Sequence, residues 1–154
     1  MRLAPVLLTM FVVSASTWAN ADDFNIEGKE LAGLPQQIEQ AIQDAEKTPS
    51  PCQFVGKQVD LAGNGAVMGY VATTANGCQW GAAMGPIWVV RDGAKPAVVL
   101  SRSGYSLTLG KKTQLGLRNI AISAGSAGWY QEELWKFNGK QYISVKRKVV
   151  DMSR

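Results

Sequence analysis

From Cys52 onward, short β-branched or aromatic runs alternate with Gly- and Asn-containing turns, and few architectures accept that rhythm. The runs are Phe54–Leu61, Val67–Thr74, Ile87–Arg91, Ala97–Arg102, Ser106–Leu109, Asn119–Ala121, Tyr130–Phe137 and Gln141–Val149. Between them lie Gly63-Asn64-Gly65, Asn76-Gly77, Asp92-Gly93 and Asn138-Gly139. The last reads as a hairpin with a two-residue type I′ turn, which Asn-Gly suits. Turns this short pair neighbouring strands antiparallel. Upstream, Leu34, Ile38, Ile42 and Ala45 recur at helical spacing, Pro35 stands at a helix start, and Thr48-Pro49-Ser50-Pro51 stops the pattern. Asp22 to Gly33 reads as an extended arm or short turn. The expected class is α+β and β-dominated: an antiparallel meander of about seven strands with one N-terminal amphipathic helix, about Leu34 to Glu46, against it.

The first 21 residues read as a secretory signal peptide. Arg2 supplies a positive start, Leu3 to Val13 is apolar apart from Thr9, and Ala19-Asn20-Ala21 offers a small-x-small cleavage site. The apolar run is too short to span a bilayer, so membrane insertion is not expected. The mature chain then begins near Asp22 and forms one periplasmic domain of 133 residues, 22–154. Two cysteines in an exported domain, Cys52 and Cys78, point to a disulfide. Closing such a loop stabilises by roughly 3–4 kcal/mol.

Charge is unevenly placed. Asp22 to Lys47 carries seven acids against two lysines, net −5; Thr48 to Arg154 carries thirteen Lys/Arg against five acids, net +8. A basic body of this kind steers acidic partners; nucleic acid is not expected in the compartment the leader implies. The chain has no histidine. That removes Ser-His-Asp triads, Cys-His dyads and the usual zinc sites. No S-x-x-K spacing occurs, and the adjacent Glu132 and Glu133 point to opposite faces of a strand. Asp60 to Gly65 has the outline of a calcium loop, but Ala62 and Met68 stand where oxygen ligands belong. No enzyme activity, metal or cofactor is expected.

Three stretches offer contact chemistry. Gly77 to Trp88 surrounds two tryptophans with small residues and presents Trp80 and Met84. Ser101-Arg102-Ser103-Gly104-Tyr105 reads as a projecting loop with Arg102, Ser103 and Tyr105. Ser123 to Tyr130 reads as a flexible small-residue loop ending in Ser126, Trp129 and Tyr130. Arg, Tyr, Trp and Met are enriched at protein interfaces. The first stretch also reads as a disulfide-tethered loop with Trp88 in the core, and the other two as solvated connectors. The final run puts Lys140, Tyr142, Ser144, Lys146 and Lys148 on one face, with Ile143, Val145 and Val149 on the other. That is either an edge guarded by lysines or a docking stripe for an acidic partner.

The succession of exported leader, Cys before D-L-x-G-N-G, G-C-x-W-G-A, P-I-W-V-V-R, a Gly-x-Trp stretch and F-N-G-K-Q-Y resembles small periplasmic immunity proteins. These are encoded beside type VI secretion effectors that cleave peptidoglycan as amidases. The chain is also similar to periplasmic domains with degenerate integrin-like calcium-loop repeats. The likeness covers about Cys52 to Tyr142. It implies a non-catalytic inhibitor that binds a cognate amidase effector; a homodimer is a further arrangement it allows. The competing expectation is an envelope glycan-binding module that stacks sugars on Trp80, Trp129 or Trp135.

Overall fold

The computed structural model describes residues 22–152. The expected signal peptide lies outside them. The described residues form ten strands and one α-helix: β1 Asp23–Asn25, β2 Ala32–Gly33, α1 Gln36–Ala45, β3 Phe54–Asp60, β4 Met68–Thr74, β5 Gly85–Arg91, β6 Ala97–Gly104, β7 Ser106–Gln114, β8 Leu117–Ser126, β9 Trp129–Phe137 and β10 Tyr142–Asp151. The fold is α+β, β-dominated and antiparallel. The expected meander is divided into two five-stranded sheets, one ordered β2-β3-β4-β5-β6 and the other β1-β7-β8-β9-β10.

The division occurs at Gly104-Tyr105. β6 pairs only with β5, whereas β7 pairs with β1 and β8. Tyr105, the single residue between them, already belongs to the second sheet. Its N–H donates to Ser123 O and its carbonyl accepts from Ile26 N–H, each at 3.0 Å. A Cβ on Gly104 would lie 2.7 Å from Ile122 Cγ2 and 3.0 Å from Ser123 O. Only glycine lets the strand turn this corner against the opposite sheet. The N-terminal arm straps the two sheets, because β1 joins β7 and β2 joins β3. Two short pairings explain why the arm lacked a strand pattern in the sequence.

Two cores follow. Between the sheets lie Phe24, Val59, Leu61, Val71, Ile87, Val89, Leu107, Ile120 and Ile122. On the outer face of the first sheet, α1 sets Ile38 and Ile42 against Phe54, Ala72, Trp88 and Val90. Phe54 and Trp88 meet edge-to-face at 5.4 Å. Burying each isoleucine contributes about 1.5–3 kcal/mol. The first sheet is thus covered on both faces, which accounts for the unbroken buried runs Val71–Thr74 and Ile87–Val90. Helix α1 starts one residue later than Pro35, which holds an extended backbone at the N-cap (φ −58°, ψ 142°).

Two turns depart from expectation. β9 and β10 are joined by four residues, not two. The Asn138 side chain accepts N–H bonds from Lys140 and Gln141 at 2.9 Å each, so Asn138 braces the loop instead of sitting at its tip. Tyr142 and Ser144 do not share the lysine face. A bulge between Ser144 and Lys146 changes the alternation, so Tyr142 packs on Phe137 in the core while Lys146 and Lys148 face outward.

Candidate functional site

Cys52 and Cys78 are bonded, with Cα atoms 5.9 Å apart. The bridge ties the residue two before β3 to the loop that follows β4. That loop is further fixed from inside. Buried Thr74 donates its hydroxyl to Cys78 O at 2.5 Å and accepts from the Trp80 indole N–H at 2.9 Å. Trp80 lies flat against the start of β5, where a Cβ on Gly85 would come within 2.7–3.0 Å of its ring. Gly81 N–H closes the tip onto Met84 O at 2.8 Å.

Trp80 forms one wall of a cleft of about 470 Å³ at the end of the sandwich. Three stretches far apart in sequence meet there. The disulfide loop supplies Trp80 and Gly81 to Ala83. The β8–β9 hairpin supplies Ser126, Trp129 and Tyr130. The corner after β6 supplies Tyr105, and Asn25, Glu27 and Met152 are among the remaining lining residues. Five of the eight residues singled out in the sequence therefore share one cavity. Its aromatic side chains are half-buried, so they present faces to solvent.

The cleft's polar atoms are anchored. Tyr130 OH lies 3.1 Å from Ser123 Oγ and donates to Glu132 Oε2 at 3.3 Å. Burial raises the Tyr105 hydroxyl pKa above its ordinary value, and neighbouring Tyr130 adds to the rise. The Asn25 side-chain Oδ1 accepts from Glu27 N–H at 2.9 Å. Glu27 is the one charged residue in the lining. Such a surface suits contact with neutral or apolar groups held by aromatic faces.

The other three residues lie elsewhere. Met84, Arg102 and Ser103 border a second cleft of about 550 Å³ with Glu46, Pro86 and Trp88. The stretch Ser101 to Gly104 is not a projecting loop; it is the second half of β6. Arg102 turns into the sandwich, donating to Glu133 from Nε at 3.0 Å and Nη2 at 3.1 Å, with its guanidinium 5.7 Å from the Trp135 ring centre. Arg147 Nε donates to the same fully buried carboxylate at 2.6 Å. This cross-sheet Arg-Glu-Arg group was missed in the sequence, although alternation already placed Glu133 opposite the exposed Glu132. Ser123 to Tyr130 is likewise strand. Only Ala127 and Gly128 form the turn, because Gly125 packs directly on Trp129 O, 2.7 Å from where its Cβ would be.

The calcium-like loop is occupied by its own backbone. Asp60 accepts N–H bonds from Ala62, Gly63 and Gly65 at 3.1, 2.8 and 2.7 Å. Among the described residues, no group of three or more Cys, Asp or Glu could hold a metal ion, and no helix is long and apolar enough to cross a membrane. Compared with protein-family models, curated proteins and solved structures, the chain matches none.

Proposed function

We propose that the protein is an exported, non-catalytic inhibitor that binds a peptidoglycan-cleaving amidase, with the loop end around the aromatic cleft as its contact face. One observation carries the placement: Trp80, Tyr105, Ser126, Trp129 and Tyr130 converge from three segments onto a single fixed surface. Tyrosine and tryptophan are enriched among the few residues that carry most of the binding energy at protein interfaces. Holding them by a disulfide, a hairpin and internal hydrogen bonds removes ordering entropy that association would otherwise have to meet. The amidase as partner rests on the sequence resemblance and the signal peptide.

The test uses the mature chain, Asp22 to Arg154, with purified type VI amidase effectors. Binding at nanomolar strength, with loss of peptidoglycan hydrolysis, is the expected result. The Tyr105→Ala, Trp129→Ala double variant is expected to weaken binding by about 100-fold, the scale of truncating central anchors. Absence of inhibition in every pairing would remove the amidase reading. Unchanged affinity in the double variant would move the contact face elsewhere.

A glycan-binding module is the second reading. What favours it is that the cleft is concave, walled by aromatic faces and free of Lys and Arg. Co-sedimentation with purified peptidoglycan, in the absence of any enzyme, is the outcome that would select it.

A further inference from the structure

β10 is the outermost strand of its sheet, ten residues long, and among the described residues no strand lies along its second edge. Residues 143–152 are all exposed. Ile143, Val145, Val149 and Val150 show 42%, 46%, 59% and 38% of their surface. Lys146 and Lys148 stand on the outward face of the same strand, in register with Leu134 and Glu132 of β9. Arg147 turns inward to Glu133.

Lysines and a bulge are the ordinary means of guarding an edge. Guarding alone leaves the aliphatic residues without a purpose: a guarded edge keeps polar side chains on both exposed faces, whereas four β-branched aliphatics sit in solvent here. Aliphatic side chains, cations and an edge with no neighbouring strand are the parts that strand addition uses, and here they lie beyond the bulge, from Lys146 onward.

We infer that the free edge of β10 receives an extended acidic segment of a partner protein, which adds to the sheet as a further strand. Charge selects this occupant over a second copy. Antiparallel self-pairing across the whole strand centres near Lys146 or Arg147. It then sets Lys146 against itself, against Arg147 or against Lys148 of the other copy, and like charges directly opposite destabilise a pair. An incoming strand with carboxylates at alternate positions meets Lys146 and Lys148 instead. Its intervening aliphatics fall on the opposite face, beside Val149. The strand leads into the cleft, where Met152 N–H donates to Gly128 O at 2.8 Å, yet the inference does not depend on what the cleft binds.

The test is backbone NMR of the isotopically labelled mature chain, titrated with an N-acetylated nine-residue peptide alternating Glu and Val. An alternating Lys–Val peptide serves as control. The Glu–Val peptide is expected to shift amides of β10 and β9, with a dissociation constant that rises at least tenfold in high salt. Lys146→Gln with Lys148→Gln, both exposed and neutral, is expected to weaken binding by a similar factor without moving the melting temperature. Equal binding of the two peptides, shifts confined to β1 or the cleft, or no shifts at millimolar peptide would overturn the inference. So would a dimer in sedimentation that the Glu–Val peptide cannot dissociate.

Discussion

The two ends of β8 treat polar residues in opposite ways. At its start, Arg118 is buried and fully used: it donates to Gly110 O at 2.7 Å, Leu109 O at 3.0 Å and Asp22 Oδ1 at 2.6 Å. Its own carbonyl accepts from buried Tyr142 OH at 2.8 Å. One guanidinium thus joins the N-terminal arm to β7, beside the Asp60 turn, whose Leu61 carbonyl accepts from Arg118 N–H. At the other end, about 26 Å away at roughly 3.3 Å per residue, Trp80 and Tyr130 of the cleft are anchored by their polar atoms while their faces stay open. A residue whose bonding is complete inside the fold has none left for a ligand. A residue pinned at one atom and exposed at the rest is prepared for one.

If the Arg118 end is a structural clamp, Arg118→Met should produce the largest loss of stability, about 3–5 kcal/mol, because it strands Asp22, the buried Leu109 carbonyl and the half-buried Gly110 carbonyl. Denaturant unfolding measures this; a loss below about 1 kcal/mol would mean that water replaces the clamp. Replacing Cys52 and Cys78 by Ala should follow at about 3 kcal/mol, given a sequence separation of 26. Amide exchange should accelerate most in residues 75–84, and uniform acceleration would deny the loop its special dependence on the bridge.

Glu133→Gln lies between the two ends and should cost about 2 kcal/mol. The deficit is smaller than at Arg118 because Arg102 and Arg147 are 38% and 54% exposed and can turn to water. A neutral or stabilising result would show that the two sheets need no charged link. Tyr142→Phe should cost least at neutral pH, about 1 kcal/mol, but it has a distinctive pH signature. Burial pushes the Tyr142 hydroxyl well above its ordinary value of 10.0, so folding favours the protonated form. That contribution is complete below pH 10 and is lost as pH rises above it. The variant should lack this alkaline loss. Asp22 gives the opposite slope. Its hydrogen bond to Arg118 lowers its pKa below the ordinary 3.8, so its contribution is present above that value and lost as pH falls through the lower folded one. Thermal melts from pH 3 to pH 11 read both limbs, and parallel curves for wild type and Tyr142→Phe above pH 10 would contradict the assignment.

Much of the fold was legible locally. Ile38 and Ile42 announced the buried face of α1 by their spacing, and each Gly- or Asn-containing turn lies between strands or in the loop after β4. Asn119 to Ala121 was legible only as a fragment of β8. Ala124 and Gly125 carry too little side chain to show period two, although they are buried in the ten-residue strand. Gly104 gave no sign of a corner, since its requirement comes from Ile122 and Ser123 on the opposite sheet.

Of the site, sequence chemistry picked out aromatic and Arg residues as contact groups, and it paired the only two cysteines of the sequence. Such features are written in residue type and spacing, which the unfolded chain already holds. It could not say that Tyr105, Trp80 and Trp129 share a cleft while Arg102 is drawn inward to Glu133. Those outcomes depend on which strands become neighbours and which way each side chain faces once the corner at Gly104 folds one sheet over the other. Spacing along the chain sets the period of an element; only the packing of distant elements decides which polar groups are consumed inside and which surfaces remain open.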